Sequence, residues 1–599
     1  MAISGVCIKE RYGFLSANCL KSSAEICLKS ISTIIHSAGF FSNPSDLRVI
    51  INYMRKIRFK SVVALANMKM SVKSAAVVLA LSTLISALLG LFRDRLLNSY
   101  YLGTYPTGID AYTAAFTIPD FMFFILTSGA LAVSFIPVFN QRLASGNKKS
   151  AWEMSSSLIN LLALLTLITS ILIMIFADPL IRYIVSPGLD ESGMVLAINM
   201  TRVIAINPFL FSIATVLTSM QQAVGRFIFY AFAPAIYNIG IIIGITWFTG
   251  GINLFGVQLF EGGIMGVALG VILGAIMQLV VALIGLFGLG FDYDFKIYWR
   301  NQGFRTILRL LPPRSLDQGI DYVNSLVSMN LSSRMGAGAV RSYDQATTLH
   351  TVPVSLIGVA ISTAFFPKLT EELGDGDNSK FNETFRQALR MIIWIALPVS
   401  VIAFFTRGYV TSFISNIGNN DSNGTISSIL GMLCLAIFAK SVFHIASRGF
   451  YAYQDTKTPF RVSIVAIGAT IAMMILFSSM GFGVDGLGMA QSIGAMLEVI
   501  ILLAILQKRS YRSILNLEFW RGLSRMLIAT AITGCVAFSM TKFMPLMVTD
   551  NSLVITIPKF LVITTISLIA YLLASYFLSL KEALPIIRYF KKKLFKNIR

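Results

Sequence analysis

Few side chains in this sequence are equipped for polar chemistry, and most of them interrupt apolar stretches. Arg93 and Asp94 close a run from residue 74 to residue 92 that carries no charge, and Asp120 follows Pro119 inside the next apolar stretch. Asp344 and Gln345 open another, Lys440 and His444 lie four residues apart in a further one, and Glu498 stands in a later one. A four-residue spacing puts Lys440 and His444 on one face of a helix, with Glu498 as a candidate partner for the ammonium. Arginine suits an anionic phosphate best, because its planar fork donates two parallel hydrogen bonds. A lysine at membrane depth costs about 2.5–3.5 kcal/mol on insertion scales, which makes Lys440 a functional candidate. Asp120 is the candidate partner of Arg93. Plainer readings stand beside these: Arg93–Asp94 as a helix-end pair, Asp110 and Asp344 as caps of their own helices, Asp455 as an N-cap to Thr456–Pro459, and Lys440 snorkelling to the surface. Three histidines, and five cysteines with no CxxC spacing, argue against a zinc protein, a disulfide scaffold or an iron–sulfur enzyme. No Gly-rich phosphate loop or HExxH is present, so no enzymatic activity is expected.

Such residues need membrane helices to position them. Of the 599 residues 55% are apolar and 13% charged, and the mean hydropathy is +0.74; a water-soluble domain carries about twice that share of charge. Spans of about 20 apolar residues are predicted over 74–92, 109–139, 155–178, 195–218, 228–248, 262–290, 314–334, 345–367, 383–406, 425–447, 458–480, 485–507, 522–544 and 553–580. The second and sixth are long enough to tilt or kink. The net charge of +21 would suggest nucleic acid in a soluble protein, but its distribution assigns it to the membrane. With both termini cytoplasmic, 39 of the 49 Lys and Arg fall in tails, inner loops and the inner ends of spans. Seven (Arg93, Arg95, Arg182, Arg334, Arg341, Arg407 and Lys542) fall on the other side, as the positive-inside rule requires. The basic tail 581–599 reads as an anchor on anionic lipid of the inner leaflet. Residues 1–70 lack a long apolar run and a signal peptide, and form an N-terminal cytoplasmic extension or a start assigned upstream of Met68 or Met70.

Internal similarity organises the spans. Residues 109–115 lie over 340–346, Phe135-Ile136-Pro137 over Phe365-Phe366-Pro367, and Gly263 with Gly274 over Gly483 with Gly494. The expected fold is an all-α polytopic membrane protein of about 14 helices. An N-terminal six-helix lobe (71–295) and a C-terminal one (296–510) are related by a parallel repeat, and two further helices follow (511–580). Two similar lobes around a midplane site are a transporter plan; the glycines read as helix-packing residues.

The motifs Gly90-Leu91-Phe92-Arg93-Asp94, Asp110-Ala111-Tyr112, Ile118-Pro119, Phe135–Phe139, Pro234 with Asn238, and Arg448–Pro459 resemble the MurJ/MviN family of the multidrug/oligosaccharidyl-lipid/polysaccharide exporter superfamily. The Phe450-Tyr451-Ala452 and Asp455-Thr456-Lys457-Thr458-Pro459 segments are the most specific of these. The resemblance covers nearly the whole chain from residue 70. It implies a flippase that moves lipid II, a polyprenyl-pyrophosphate-linked peptidoglycan precursor, across a bacterial plasma membrane, with the last two helices forming a groove for the lipid tail. It implies a substrate contact at Arg93 with Asp94, beside which Asp120, Asp344, Gln345 and Lys440 are further candidate contacts, and a sodium site in the C-terminal lobe for which Asp321 and Asp455 are the candidates. It implies no cofactor beyond a coupling cation (sodium or proton) or the membrane potential. Implied partners are the lipid-linked glycan, anionic membrane lipids and cell-wall synthesis proteins, and no nucleic acid. The sequence departs from the family at Ala87, Phe123-Phe124 and Gln345, where arginines are usual, and at Ser128, where an acid is usual. Arg202, Arg341 and Lys440 are the cations left to stand in. Another lipid-linked oligosaccharide or a small molecule as cargo, and a non-transporting scaffold of cell-wall assembly, are the alternatives.

Overall fold

The computed structural model describes residues 67–68 and 72–584, apart from 255–256, 416–419, 511–513, 548–549 and 551. The extension before residue 67 and most of the basic tail therefore lie outside the described residues. Each of the fourteen predicted spans is occupied by helix. The N-terminal lobe contains α1 (Val72–Tyr101), α2 (Pro106–Ala115), α3 (Thr117–Leu126), α4 (Ser128–Ala144), α5 (Lys148–Pro179), α6 (Glu191–Ile204), α7 (Asn207–Ala223), α8 (Ile228–Thr246) and α9 (Met265–Ile284). The C-terminal lobe contains α10 (Gln302–Ser333), α11 (Ala339–Val354), α12 (Ala360–Gly374), α13 (Asn378–Thr411), α14 (Asn420–Ala452), α15 (Lys457–Ser479) and α16 (Gly483–Arg509). The additional pair is α17 (Leu517–Phe543) and α18 (Leu553–Phe577). Among the described residues, twelve helical segments are long and apolar enough to cross a membrane. The long helices α1 and α10, at the first and seventh predicted spans, are not among those twelve.

Local chemistry explains the helix ends. Asn147, Asp190, Asn301, Asp377 and Asn516 each accept a backbone N–H at the start of α5, α6, α10, α13 and α17, filling donors the helix cannot satisfy itself. Pro106 and Pro208 stand in the first turn of α2 and α7, where their missing N–H is no loss. Three predicted spans are not single rods. The second breaks at Phe116 and Thr127 into α2, α3 and α4; the fourth breaks at Ala205–Ile206 before Pro208; the eighth passes through a π-helical turn, Ser355–Val359, just after Pro353. Proline removes a backbone donor and clashes with the preceding turn; the breaks at Phe116, Ala205–Ile206 and Ser355–Val359 lie within three residues of one, whereas the break at Thr127 does not. The sixth span is shorter than predicted. A two-stranded antiparallel hairpin, β1 (Ile252–Leu254) with β2 (Val257–Phe260), precedes it and is a small addition to the all-α fold.

One pair of the matched glycines shares a backbone conformation. Gly263 (φ +76°) and Gly483 (φ +58°), 220 residues apart, are both left-handed at the entry to α9 and α16, a conformation glycine adopts without steric penalty. Close helix approach is concentrated at α8 and α9. A Cβ on Gly240 would lie 2.2 Å from the Gly274 Cα, and one on Gly244 would lie 2.6 Å from the Gly270 Cα. α17 and α18 pack on α13, where the Tyr571 hydroxyl donates to the Trp394 carbonyl (2.7 Å) and the Trp394 indole to Ser575 Oγ (3.2 Å).

The lobes are tied together at the end of the bundle carrying residues 94–110, 184–190, 330–341 and 412–414. There Asn98 Nδ2 donates to the Ile414 carbonyl (2.7 Å), Arg95 Nη1 to the Ser412 carbonyl (2.5 Å) and Asn330 Nδ2 to the Ile184 carbonyl (2.7 Å). α10 packs on both lobes, against α4 and α3 of the first and α15 and α11 of the second.

Candidate functional site

A cavity of about 670 Å3 lies between the lobes and contains most of the predicted site residues: Arg93, Asp94, Asp120, Asp344 and Gln345, with Arg341. α1 delivers Arg93 and Asp94 two turns before its end. Arg93 Nη2 is 3.0 Å from Asp94 Oδ1, and its Nη1 donates to Asn238 Oδ1 of α8 at 3.0 Å. α11 delivers Arg341 from the other lobe. Its Nη2 lies 3.0 Å from the same Asp94 Oδ1, its Nε donates to Asn98 Oδ1 (2.9 Å), and its Nη1 reaches Asp344 Oδ2 (3.4 Å). Gln345, with its amide oxygen turned inward, accepts from both terminal nitrogens of Arg341 at 3.0 and 3.1 Å. One carboxylate thus serves two guanidiniums from different lobes. The two arginines differ in availability. The Arg341 side chain is 5% exposed and engaged on every side, whereas Arg93 is 25% exposed to the cavity.

Several expectations need correction. Asp120 lines the cavity but is not the partner of Arg93, which pairs with Asp94 beside it. Asp110 does not cap its own helix. It is fully buried and accepts the backbone N–H groups of Gly338 (2.6 Å) and Arg341 (2.8 Å), so it caps α11 of the opposite lobe. Asp344 lies in the second turn of α11, beyond the reach of a cap, and faces the cavity. Arg341 is a buried helical residue, not a loop cation. Of the three stand-ins, Arg202 is exposed and bonds to the Met174 carbonyl and Asn199, away from the cavity. Lys440 faces a different cavity, inside the C-terminal lobe. Phe123 and Phe124 build an aromatic wall with Phe211, Tyr237 and Tyr322.

Asp455 sits before α15 and is fully engaged. It accepts from the Lys457 and Thr458 amides, the Thr458 hydroxyl and Arg509 Nη1 (2.5 Å). Burial pushes its carboxyl up, but the bonds from Thr458 and Arg509 prevail and hold it at about 2. A cation there would have to displace Arg509. The Asp321 side chain lies outside the described residues. Asn98, Tyr237 and Gln278 were not singled out from the sequence. Asn98 carries a signal, since it follows Asp94 by four residues and so shares its face of α1; Tyr237 and Gln278 carry none.

Two pseudo-repeated lobes of membrane helices around a polar interlobe cavity define a multi-span transporter. Solved structures with this fold include a lipid II flippase MurJ in an inward closed conformation (TM-score 0.65, 22% identity, 84% of this chain and 98% of that one). An inward-facing MATE family transporter of the MOP superfamily also matches (TM-score 0.60, 17% identity, 76% and 97%). The family described as lipid II flippase MurJ matches residues 98–558, and the chain belongs to that family. Its relatives include a probable lipid II flippase MurJ of Borreliella burgdorferi, 25% identical over 440 residues, 73% of this chain and 84% of the relative. The lipid II flippase MurJ of Burkholderia cenocepacia is 26% identical over 435 residues, 71% and 82% of the two chains.

Proposed function

We propose that this protein flips lipid II from the inner to the outer leaflet of a bacterial plasma membrane by alternating access of the interlobe cavity, with both termini in the cytoplasm. The observation that carries the reading is Arg93, a guanidinium still exposed to the cavity and held in place by Asp94 and Asn238. Its remaining N–H groups suit a pyrophosphate oxygen, and a charge-assisted bond of that kind contributes about 1.5–3 kcal/mol. Arg341 plays another part. Its bonds to Asp94 and Asn98 cross the lobe boundary, so the opening of this end requires them to part. Asp120 and Asp344 are the hydrogen-bond acceptors available to hydroxyl and amide donors of the headgroup. The basic tail serves as an anchor on anionic lipid, and cell-wall synthesis proteins are the natural partners. The aromatic wall at Phe123 and Phe124 favours one second reading, a lipid-linked oligosaccharide other than lipid II, because apolar rings there replace the family's cations.

Complementation of a flippase-depleted bacterium, with lipid II accessibility at the outer surface as readout, tests the assignment. Arg93→Ala should insert normally yet lower apparent affinity by one to two decades, at about 1.4 kcal/mol per decade. Arg93→Lys should be partly active, since a point charge lacks the fork. Full complementation by Arg93→Ala overturns the role of Arg93, and failure of the unaltered chain to complement favours the second reading.

A further inference from the structure

The chain between α9 and α10 is strapped along the start of α5. Asn160 Nδ2 donates to the carbonyls of Asp294 (2.8 Å) and Lys296 (3.1 Å). The Asp294 amide donates to Ser156 Oγ (3.2 Å) and the Tyr298 amide to Ser157 Oγ (2.8 Å). The strap thus reaches the first turns of the span predicted from residue 155, where acyl chains give way to headgroups. Between the two carbonyls that Asn160 holds, Phe295 turns outward, 85% exposed, and Trp299 is 55% exposed. Exposed rings on a fixed backbone mark an interaction site, and aromatic residues are enriched where a membrane meets water. The same strap closes a cavity of about 790 Å3 against the α4–α5 turn, within the usual range of small-molecule sites, about 300–1,000 Å3. Arg142, Lys149 and Arg300 line it, with Glu153 as the one carboxylate. Glu153 Oε2 accepts from Asn301 Nδ2 (3.4 Å), and Arg142 Nε is buried without a hydrogen-bond partner. A buried donor left unpaired carries its full desolvation cost, and three cations around one space repel each other. An anion entering the cavity relieves both.

We propose that this pocket binds the phosphate of an anionic inner-leaflet lipid, whose chains lie against Phe295 and Trp299 of the strap. The phosphate oxygens accept charge-assisted bonds from Arg142, Lys149 and Arg300, and an arginine fork matches two oxygens at once. A soluble anion would engage the cations and leave the aromatic strap idle, whereas a lipid uses both. The local charge points the same way. Residues 142–153 and 296–305 carry six Lys or Arg against the single acid Glu153, the kind of basic cluster that an anionic leaflet attracts. Asn301, at the edge of the pocket, caps α10 by accepting the Phe304 amide (3.2 Å). The lipid therefore docks where the helix that packs on both lobes begins. The inference goes beyond the flippase reading and takes from it only the choice of leaflet.

The test uses the full chain in a neutral detergent without cargo, and compares binding of phosphatidylglycerol and phosphatidylcholine by native mass spectrometry. The wild type should prefer phosphatidylglycerol. Lys149→Gln and Arg300→Gln, both at exposed positions where substitution leaves folding intact, should each cut that preference by about fivefold. That figure follows from about 1 kcal/mol per cation near an anionic surface and about 1.4 kcal/mol per decade. Lys380→Gln makes the same charge change at the matching position of the other lobe, 231 residues on, and should leave the preference as it is. A Lys149→Gln/Arg300→Gln protein that keeps the wild-type preference overturns the proposal, as does an equal loss in Lys380→Gln. If inorganic phosphate binds the wild type as tightly as phosphatidylglycerol does, the pocket is a soluble-anion site and the lipid assignment falls. A nitroxide at Phe295→Cys, in a cysteine-free full chain in nanodiscs, should be relaxed by dissolved oxygen and shielded from an aqueous nickel chelate. The reverse pattern overturns the docking of the strap on lipid. Neither measurement involves cargo or transport, so failure here is separate from failure of complementation.

Discussion

Asp110 shows how much of the site depends on single contacts made at long range. Its two carboxylate oxygens take the first free N–H groups of a helix 228 residues further along the chain. A helix cap contributes about 0.5–2 kcal/mol, and here both donors are buried, so Asp110→Ala should lower the Tm of the purified protein clearly. Asp110→Asn, which keeps one acceptor, should lower it less. Asp455 gives a pH-dependent counterpart. Its carboxyl is held at about 2 against an ordinary value of 3.8, so its contribution to stability is fully present above about pH 4 and lost as pH falls through 2. The Tm difference between wild type and Asp455→Asn should therefore be full near neutrality and shrink on acidification toward that range; a constant difference would refute the pairing with Arg509. The buried Arg341 side chain, unlike Arg93, is legible in the sequence only as an outer-loop cation and a candidate stand-in. Nothing in its own sequence neighbourhood reveals that Asp94 and Asn98 reach it from the other lobe.

At the scale of elements, the span pattern follows from hydropathy, and three of the four breaks lie beside a proline. Helix contact at α8–α9 depends on glycines facing one another, since lipid tails supply no hydrophobic drive between helices and close approach must do so. Gly240→Leu should force these helices apart and reduce the yield of folded protein. Gly468→Ala, on α15 where an added Cβ meets nothing within 4 Å, should be neutral. Thermal stability of the two variants in detergent checks this, and equal losses would remove the packing argument. The positive-inside count reads Arg93, Arg95 and Arg341 as loop residues because hydropathy averages over a window. The structure places all three on helices, where they satisfy partners inside the bundle.

For the whole molecule, orientation and lobe contact are the two properties to measure. In a cysteine-free background, Ser192→Cys should react with an impermeant thiol reagent added outside intact cells, and Ser145→Cys should not. The reverse pattern would invert the topology. A cysteine pair replacing Ile184 and Asn330, whose backbone carbonyl and side-chain amide meet at 2.7 Å, should cross-link the lobes under oxidation and arrest complementation until reductant is added. The sequence by itself determined the membrane class, the apolar segments that become helices and the family, because apolar runs and local motifs act over short stretches of chain. It also anticipated Glu498 as a partner for Lys440, since two opposite charges in apolar spans have few other ways to be satisfied. Only the tertiary structure decided that Arg93 and Arg341 share Asp94, that Asp110 caps the opposite lobe, that Asp120 stands apart from Arg93, and that Lys440 belongs to a second cavity. Those outcomes depend on how lobes separated by more than 200 residues meet. A hydrogen bond requires its partners within about 3 Å and correctly aimed, and no spacing within one helix encodes that.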